Sequence, residues 1–393
     1  MTDYPLVKLL PGRHRRLAQG FPWIYSNELD LPPEARALEP GALVQVMNAA
    51  GEPEGLALFN RHTLIAARLL TRAVKHPIDE AFLAERLARA LALRQRLYDK
   101  PFYRLIHAEA DGLPGTVIDR FGDTLVVQLN TAGMERLREP LLAALDRVLA
   151  PATVLLKDDS AARHLEGLPP GERLAKGAAP GIVELEENGA RYFADLSQGQ
   201  KTGWFYDQRE NRAWLRRFAA GQRVLEGYCY SGGFAIQAAL GGATEVRSLD
   251  SSEPALALAR RAAEANGVAG ICRFEKHEVF QQLSRMKDER YGLVMMDPPA
   301  FVKSRKELNQ GLKGYRKLAR LAAQVTAPGG VLFIASCSYH ADPASFEQAV
   351  AGGLTDAGRQ GRILMMSGAA PDHPVHPHLP ESAYLKALTL VLD

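Results

Sequence analysis

Apolar and polar positions alternate with a period of two through much of the first 72 residues. Residues 42–46, 55–59 and 64–69 form three such stretches, separated by Pro40-Gly41, Gly51-Glu52-Pro53 and Asn60-Arg61-His62. Short strands at this spacing predict a small barrel or compact sheet over 1–72. From 79 to 98 the period changes to that of a helix. Phe82, Leu83, Leu87, Ala90, Leu91, Leu93 and Leu97 fall on one face, and Glu85, Arg86, Arg89 and Arg94 are expected to point away from it. Strand patterns at 116–119 and 125–129 flank a Gly122-Asp123 turn, and a helix at 135–149 and a strand at 153–157 follow. Residues 73–182 therefore read as a central mixed α/β domain. Its end, 165–181, is dense in glycine and proline and reads as a loop or linker.

After residue 183 strands and helices alternate. Strand patterns occupy 223–226, 246–250, 293–297 and 331–336. Helices are expected from Phe234, up to Asn266-Gly267, and over 313–325. Repeated strand-then-helix units predict a parallel, doubly wound α/β sheet of the Rossmann-like kind over 183–393. Ligands in such sheets bind beyond the C-terminal ends of the strands, so polar residues there become candidates.

Composition changes this picture little. The 393 residues are 47% apolar and 24% charged, enough for two or three cored domains. A net charge of +3 permits a nucleic-acid partner without arguing for one, so any RNA surface must come from local clustering of charge. The three cysteines, Cys229, Cys272 and Cys337, fit neither a disulfide framework nor a metal site and suggest a reducing, cytoplasmic setting. No signal peptide, membrane span or metal site is expected.

Four motifs sit at predicted strand ends. Glu226-Gly227-Tyr228-Cys229-Tyr230-Ser231-Gly232-Gly233-Phe234 joins a strand to a helix through paired glycines, which allow close approach to a ligand. It lacks the pyrophosphate fingerprint, so a nucleoside joined to a methionine-like chain fits better. Asp250, followed by Ser251, ends the next strand; it suits a ribose diol, or else caps the following helix. Asp297-Pro298-Pro299-Ala300-Phe301 closes a third strand with a stiff turn, presenting a carboxylate and carbonyls to a planar base. Ser336-Cys337-Ser338 ends a fourth, placing a thiol beside Asp297. Such a thiol acts as a nucleophile only where its surroundings favour the thiolate. Cys229 and Cys272 read as structural, and His373 as a turn residue. Near the N-terminus Arg13, Arg15 and Arg16 precede Trp23, an interleaving of basic and aromatic residues that suits phosphates and stacked bases.

Taken together these segments resemble the bacterial and archaeal family of large-subunit (23S) ribosomal-RNA cytosine-C5 methyltransferases, the RlmI-like group. The resemblance spans nearly the whole chain. Residues 12–16 and 22–26 are similar to that family's RNA-binding PUA domain, and 103–109 and 111–115 to its central domain. Residues 200–203 and Asp207-Gln208-Arg209 are similar to the segment bordering its cofactor. Glu278 stands where the family commonly places Asp against the adenine amine, Ala300 where many members carry Lys, and Ser231 where Thr is usual. The resemblance implies a class I methyltransferase domain that uses S-adenosylmethionine and releases S-adenosylhomocysteine. It implies Cys337 and Asp297 as the catalytic pair, and a cofactor site made of Asp207, Gln208, Arg209, Glu226, Tyr228, Tyr230, Ser231, Gly232, Gly233, Phe234, Asp250, Ser251, Glu278, Asp297 and Pro298. Ribosomal RNA is the partner so implied; the sequence does not specify whether the chain forms a homodimer. Exocyclic-amine N-methylation of RNA or DNA, which needs no cysteine, stays open, as does a non-catalytic ribosome assembly factor.

Overall fold

The period-two stretches near the N-terminus form strands in the computed structural model, which describes residues 4–199 and 202–393. The strands β1 (Leu6–Leu9), β2 (Trp23–Tyr25), β3 (Leu29–Asp30), β4 (Ala42–Met47), β5 (Pro53–Phe59) and β6 (Ile65–Thr71) make one sheet in the order β2-β6-β5-β4-β1-β3. Short helices α1 (His14–Ala18) and α2 (Pro33–Arg36) lie in its connections. Alternate residues such as Val7, Leu9, Val44, Val46, Ala57 and Phe59 turn inward to one core.

A second sheet, β11-β10-β9-β8-β7, combines β7 (Phe102–His107), β8 (Thr116–Phe121), β9 (Thr124–Leu129), β10 (Thr153–Asp158) and β11 (Gly171–Lys176). Helix α3 (Glu80–Leu97) starts where the Asp79 carboxylate accepts from the Phe82 amide, and buries Leu83, Leu87 and Ala90. The helix expected at 135–149 is two, α4 (Ala132–Arg136) and α5 (Arg138–Leu149), separated at Leu137; α6 (Ala161–Leu165) follows β10. Both sheets belong to one unit: the chain up to Gly181 together with Leu196–Trp204 and Pro371–Ser382.

Two expectations fail in this unit. The stretch read as a linker contains β11, whose side chains are almost all exposed and whose strand form comes from antiparallel pairing with β10. Arg94, expected to face away from the core, is completely buried. Its guanidinium forms a fork with the Asp111 carboxylate at 2.6 and 2.7 Å and donates to the Arg104 and Asp372 carbonyls. An always-charged group survives burial only when its donors are satisfied in this way. Leu93 and Leu97 are correspondingly 39% exposed. His373 does lie in a turn, buried, its Nδ1 2.8 Å from the Asp372 carboxylate.

The other unit comprises Ile182–Asp195, Phe205–Ala370 and Ala383–Asp393. It opens with a hairpin, β12 (Ile182–Glu187) and β13 (Ala190–Asp195), and helix α7 (Arg209–Arg216). Strand–helix alternation then follows, with α10 and α12 beyond the helices expected: β14 (Arg223–Gly227), α8 (Gly233–Leu240), β15 (Glu245–Asp250), α9 (Glu253–Ala265), β16 (Cys272–Lys276), α10 (Val279–Arg285), β17 (Tyr291–Met296), α11 (Leu308–Val325), β18 (Thr326–Ser336) and α12 (Pro343–Asp356). With β19 (Gly361–Ser367) and β20 (Lys386–Leu392) they form a seven-stranded sheet ordered β16-β15-β14-β17-β18-β20-β19. The sheet is parallel from β16 to β18, but β20 runs antiparallel to both its neighbours, so the expectation of a parallel sheet fails at this edge. The strand order reverses direction at β14, which opens a crevice beyond the ends of β14 and β17.

Candidate active site

The glycine turn leaves β14 in an unusual backbone conformation. Tyr228 and Tyr230 take φ of 64° and 49°, and Gly232, at 83°, caps α8. Left-handed conformation at a non-glycine residue costs roughly 1–3 kcal/mol and persists where the surroundings dictate it. Here the Tyr228 and Cys229 amides both donate to the Leu249 carbonyl, and the Tyr230 amide donates to Asp250 Oδ2 at 2.9 Å. Asp250 Oδ1 accepts from the Ser252 amide at 2.8 Å, while Ser252 itself caps α9. Asp250 thus braces the turn as well as ending its strand, and its oxygens keep lone pairs for a further donor.

Glu226 is buried under the turn and accepts from Ser248 Oγ at 2.9 Å. Burial, reinforced by the charges of Asp250 and Asp297, pushes its carboxyl up to about 8. Ser231 Oγ is buried with no hydrogen-bond partner among the described residues. Phe234 packs on Phe333, with ring centroids 5.3 Å apart. Ser251 is exposed, and so is Glu278, which precedes α10 and whose carboxylate makes no hydrogen bond or ion pair among the described residues.

Asp207, Gln208 and Arg209 occupy a buried helical turn leading into α7. Asp207 Oδ2 accepts from the Tyr384 hydroxyl at 2.5 Å, and its Oδ1 is buried without a partner among the described residues. Gln208 accepts from Asn211, and Arg209 pairs with Glu187. Gln200 and Lys201 lie outside the described residues.

The catalytic candidates sit on neighbouring strands. In the β17–β18 register Met296 faces Ile334, so the chain enters the Asp297 and Cys337 turns side by side. Cys337 Sγ lies 4.0 Å from the Pro298 carbonyl. Asp297 and Cys337 are half-buried between the buried Met296 and Pro298 and the buried Ser336 and Ser338. A hydroxyl clasp fixes the two turns: Ser338 Oγ accepts from the Val302 amide at 3.0 Å and is 2.8 Å from the Tyr315 hydroxyl on α11.

The sequence did not single out Tyr315 or Lys386, and it gave Ser338 no role beyond its place in the Ser336-Cys337-Ser338 motif. Lys386 faces Ser336 across β18–β20, and its Nζ donates to the Ser338 carbonyl at 2.6 Å and to that of Tyr384 at 3.1 Å. Burial lowers its affinity for a proton, opposed by Cys337 and by Asp342. The signal available in the sequence was one charge in the otherwise uncharged strand Lys-Ala-Leu-Thr-Leu-Val-Leu. Burial raises the thiols of Cys229 and Cys272, the latter to about 12, which keeps both protonated.

Among the N-terminal candidates, Arg13 and Arg15 are exposed and unpaired among the described residues. Arg16 stacks 3.8 Å above Phe21 and lies 3.6 Å from Glu28. Trp23 is half-buried, donates to Glu109 at 2.7 Å and has Arg68 5.3 Å over its ring. No cluster of three or more His, Cys, Asp or Glu suited to a metal occurs among the described residues, and no helix among them is long and apolar enough to cross a membrane.

Residues 157–390 match the family described as S-adenosylmethionine-dependent methyltransferase, and residues 7–72 match the PUA-like domain. The chain is similar to the ribosomal RNA large subunit methyltransferase I of Pseudoalteromonas atlantica, 36% identical over 388 residues that cover 97% of this chain and 98% of the relative. The protein of the same name from Erwinia tasmaniensis is 37% identical over 388 residues, 96% of this chain and 97% of the relative. Two solved structures share the fold. One, a Streptococcus mutans protein described as a SAM-dependent methyltransferase, has a TM-score of 0.83 at 22% identity, covering 98% of this chain and 100% of its own. The other, described as a methyltransferase complexed with SAH, has a TM-score of 0.83 at 21% identity, covering 98% and 99%.

Proposed function

The chain belongs to the S-adenosylmethionine-dependent methyltransferase family that includes the ribosomal RNA large subunit methyltransferase I proteins, and from that membership we propose that it forms 5-methylcytosine in large-subunit ribosomal RNA. One observation carries the choice of chemistry: the Cys337 sulfur stands 4.0 Å from the Pro298 carbonyl, on the turn that bears Asp297.

The donor set fits the cofactor. Asp250 retains lone pairs for ribose hydroxyls, and Glu278 is an uncommitted acceptor for an adenine amine. Among the described residues the buried Ser231 hydroxyl and Asp207 Oδ1 have no partner, and a polar amino-acid moiety would supply one. Glu226, Tyr228, Tyr230, Gly232, Gly233 and Phe234 shape the turn around it, and Pro298 closes it from the β17 side. S-adenosylmethionine, when bound, supplies an electrophilic methyl on a sulfonium.

Carbon 5 of cytosine is a poor nucleophile, so the protein must first raise its electron density. The Cys337 thiolate adds to C6 of an unstacked cytosine while Asp297, in its protonated form, donates a hydrogen bond to N3, where negative charge develops. The resulting enamine takes the methyl at C5 as the methyl's bond to the sulfonium sulfur breaks, leaving S-adenosylhomocysteine. Loss of the C5 proton to a base then expels the thiolate and restores the C5–C6 double bond. Lys386, next to the Cys337 turn, favours the thiolate. Extracting the base costs a few kcal/mol, which RNA contacts at Arg13, Arg15, Arg16 and Trp23 offset.

The test combines product mapping with Cys337→Ala. Wild-type enzyme yields 5-methylcytosine and forms a denaturant-stable complex with RNA containing 5-fluorocytosine; the variant does neither. Methylation by the variant at near wild-type rate refutes the adduct and favours exocyclic-amine transfer.

A further inference from the structure

Positive charge is concentrated immediately after the Asp297 turn. Residues 303–320 hold seven Lys and Arg and one carboxylate, Glu307, a net of +6 where the whole chain carries +3. The rest of the chain is therefore net negative. Much of this local charge is uncommitted. Arg316 forms a fork with Asp356, and Lys317 sits 5.0 Å over the Phe280 ring. Lys303, Arg305, Lys306 and Lys313 are exposed, and their side chains make no ion pair or hydrogen bond among the described residues. Gln310, Lys313 and Lys317 follow helical spacing along α11 and share one face, and Lys306 lies in the tight turn that leads into it.

Packing ties this face to the chemistry. Phe301 lies 4.7 Å from the Tyr315 ring. A methyl group on Gly311 would collide with Val302 and stand 2.7 Å from the Phe301 carbonyl, and one on Gly314 would stand 3.0 Å from the Phe301 ring. Glycine inside a helix is less stable than alanine. Here it lets residues 300–302 rest directly on α11. The Asp297 turn and the basic face therefore move as one body.

We infer that Lys303, Arg305, Lys306 and Lys313 form a second RNA-binding surface, in the methyltransferase unit itself, that grips phosphates flanking the target base. This rests on the RNA-modifying function proposed above. A base drawn out of its stack keeps its two flanking phosphates, and they must pass the mouth of the crevice. Unpaired cations anchored to the catalytic turn neutralise them there and release counterions.

Lys303→Ala/Arg305→Ala/Lys306→Ala is compared with Arg273→Ala/Lys287→Ala/Arg290→Ala. The control removes the same charge from exposed residues near the N-terminal ends of β16 and β17, away from the crevice. RNA affinity is measured against salt by fluorescence anisotropy, with S-adenosylhomocysteine calorimetry confirming that each variant is folded. The first variant should bind RNA at least tenfold more weakly at 0.1 M salt, its log–log salt slope shallower by about two to three; the control slope should change by less than about one. In the wild type, bound RNA should protect Lys303, Lys306 and Lys313 from acetylation. Equal losses in the two triples, or no protection of these lysines, overturn the inference. So does unchanged RNA binding accompanied by lost binding to phosphatidylglycerol vesicles, which would make this a membrane surface. Product mapping separates the two proposals: a methyl group found elsewhere than C5 defeats the cytosine chemistry and leaves the phosphate contacts standing.

Discussion

The hydroxyl clasp between the Asp297 and Cys337 turns makes a quantitative prediction. Ser338→Ala removes one oxygen, which strands the buried Val302 amide and takes from the Tyr315 hydroxyl its partner at 2.8 Å. Each stranded buried group costs about 1–3 kcal/mol. The Tyr315 hydroxyl keeps the Ser336 hydroxyl and a 3.5 Å contact from the Phe301 amide, so the Val302 amide carries most of the loss and Ser338→Ala should lower stability by ~1–3 kcal/mol in total. Tyr315→Phe removes the other member and leaves Ser338 able to accept from Val302, so its cost should be nearer ~1 kcal/mol. In the double variant the bond between the two hydroxyls is lost once and not twice. Its total should therefore fall short of the sum of the singles by about 1 kcal/mol. Urea denaturation gives the stability cycle. Single-turnover methylation should lose rate in Ser338→Ala with little change in cofactor affinity, because the clasp sets where Cys337 stands relative to Pro298 and not the glycine turn. Energies additive within about 0.3 kcal/mol, or a loss confined to cofactor binding, would refute the clasp.

Two further outcomes follow from the buried charges. The Glu226 carboxyl, raised from its ordinary range to about 8, stays protonated in the folded chain at a pH where the unfolded chain ionises it. Its contribution is complete below the unfolded value and is lost as pH rises through about 8. Relative to Glu226→Gln, the wild type should lose roughly 3–4 kcal/mol between pH 5 and pH 8, and parallel stability–pH curves in urea would contradict this. Lys386→Met removes the cation beside Cys337 and should slow iodoacetamide alkylation of that thiol at pH 7 about tenfold; a wild-type rate by mass spectrometry would show that Lys386 only anchors the strand.

Much of the fold and part of the site were legible before any coordinates. Strands β4, β5 and β6 and helices α3, α9 and α11 follow from apolar periods of 2 and 3.6, because each buries one face against whatever core forms. The candidate residues after β14, β15, β17 and β18 could be placed because parallel sheets gather their sites at one end of the strands. Glycine and proline signals were less secure. They marked 165–181 as linker, yet β10 supplies the partner that makes β11 a strand. The same limit hid the reversal of β20, which depends on the free edge offered by β18.

Local pattern determined which segments are strands and helices and which polar residues stand at their ends, since dihedral preference and apolar spacing act over a few residues. Tertiary structure decided the partnerships: Arg94 drawn inside by Asp111, Tyr315 clasped to Ser338, and Lys386 set beside Cys337 from the far end of the chain. Those choices depend on desolvation and hydrogen-bond geometry between residues distant in sequence, which only the folded chain brings together.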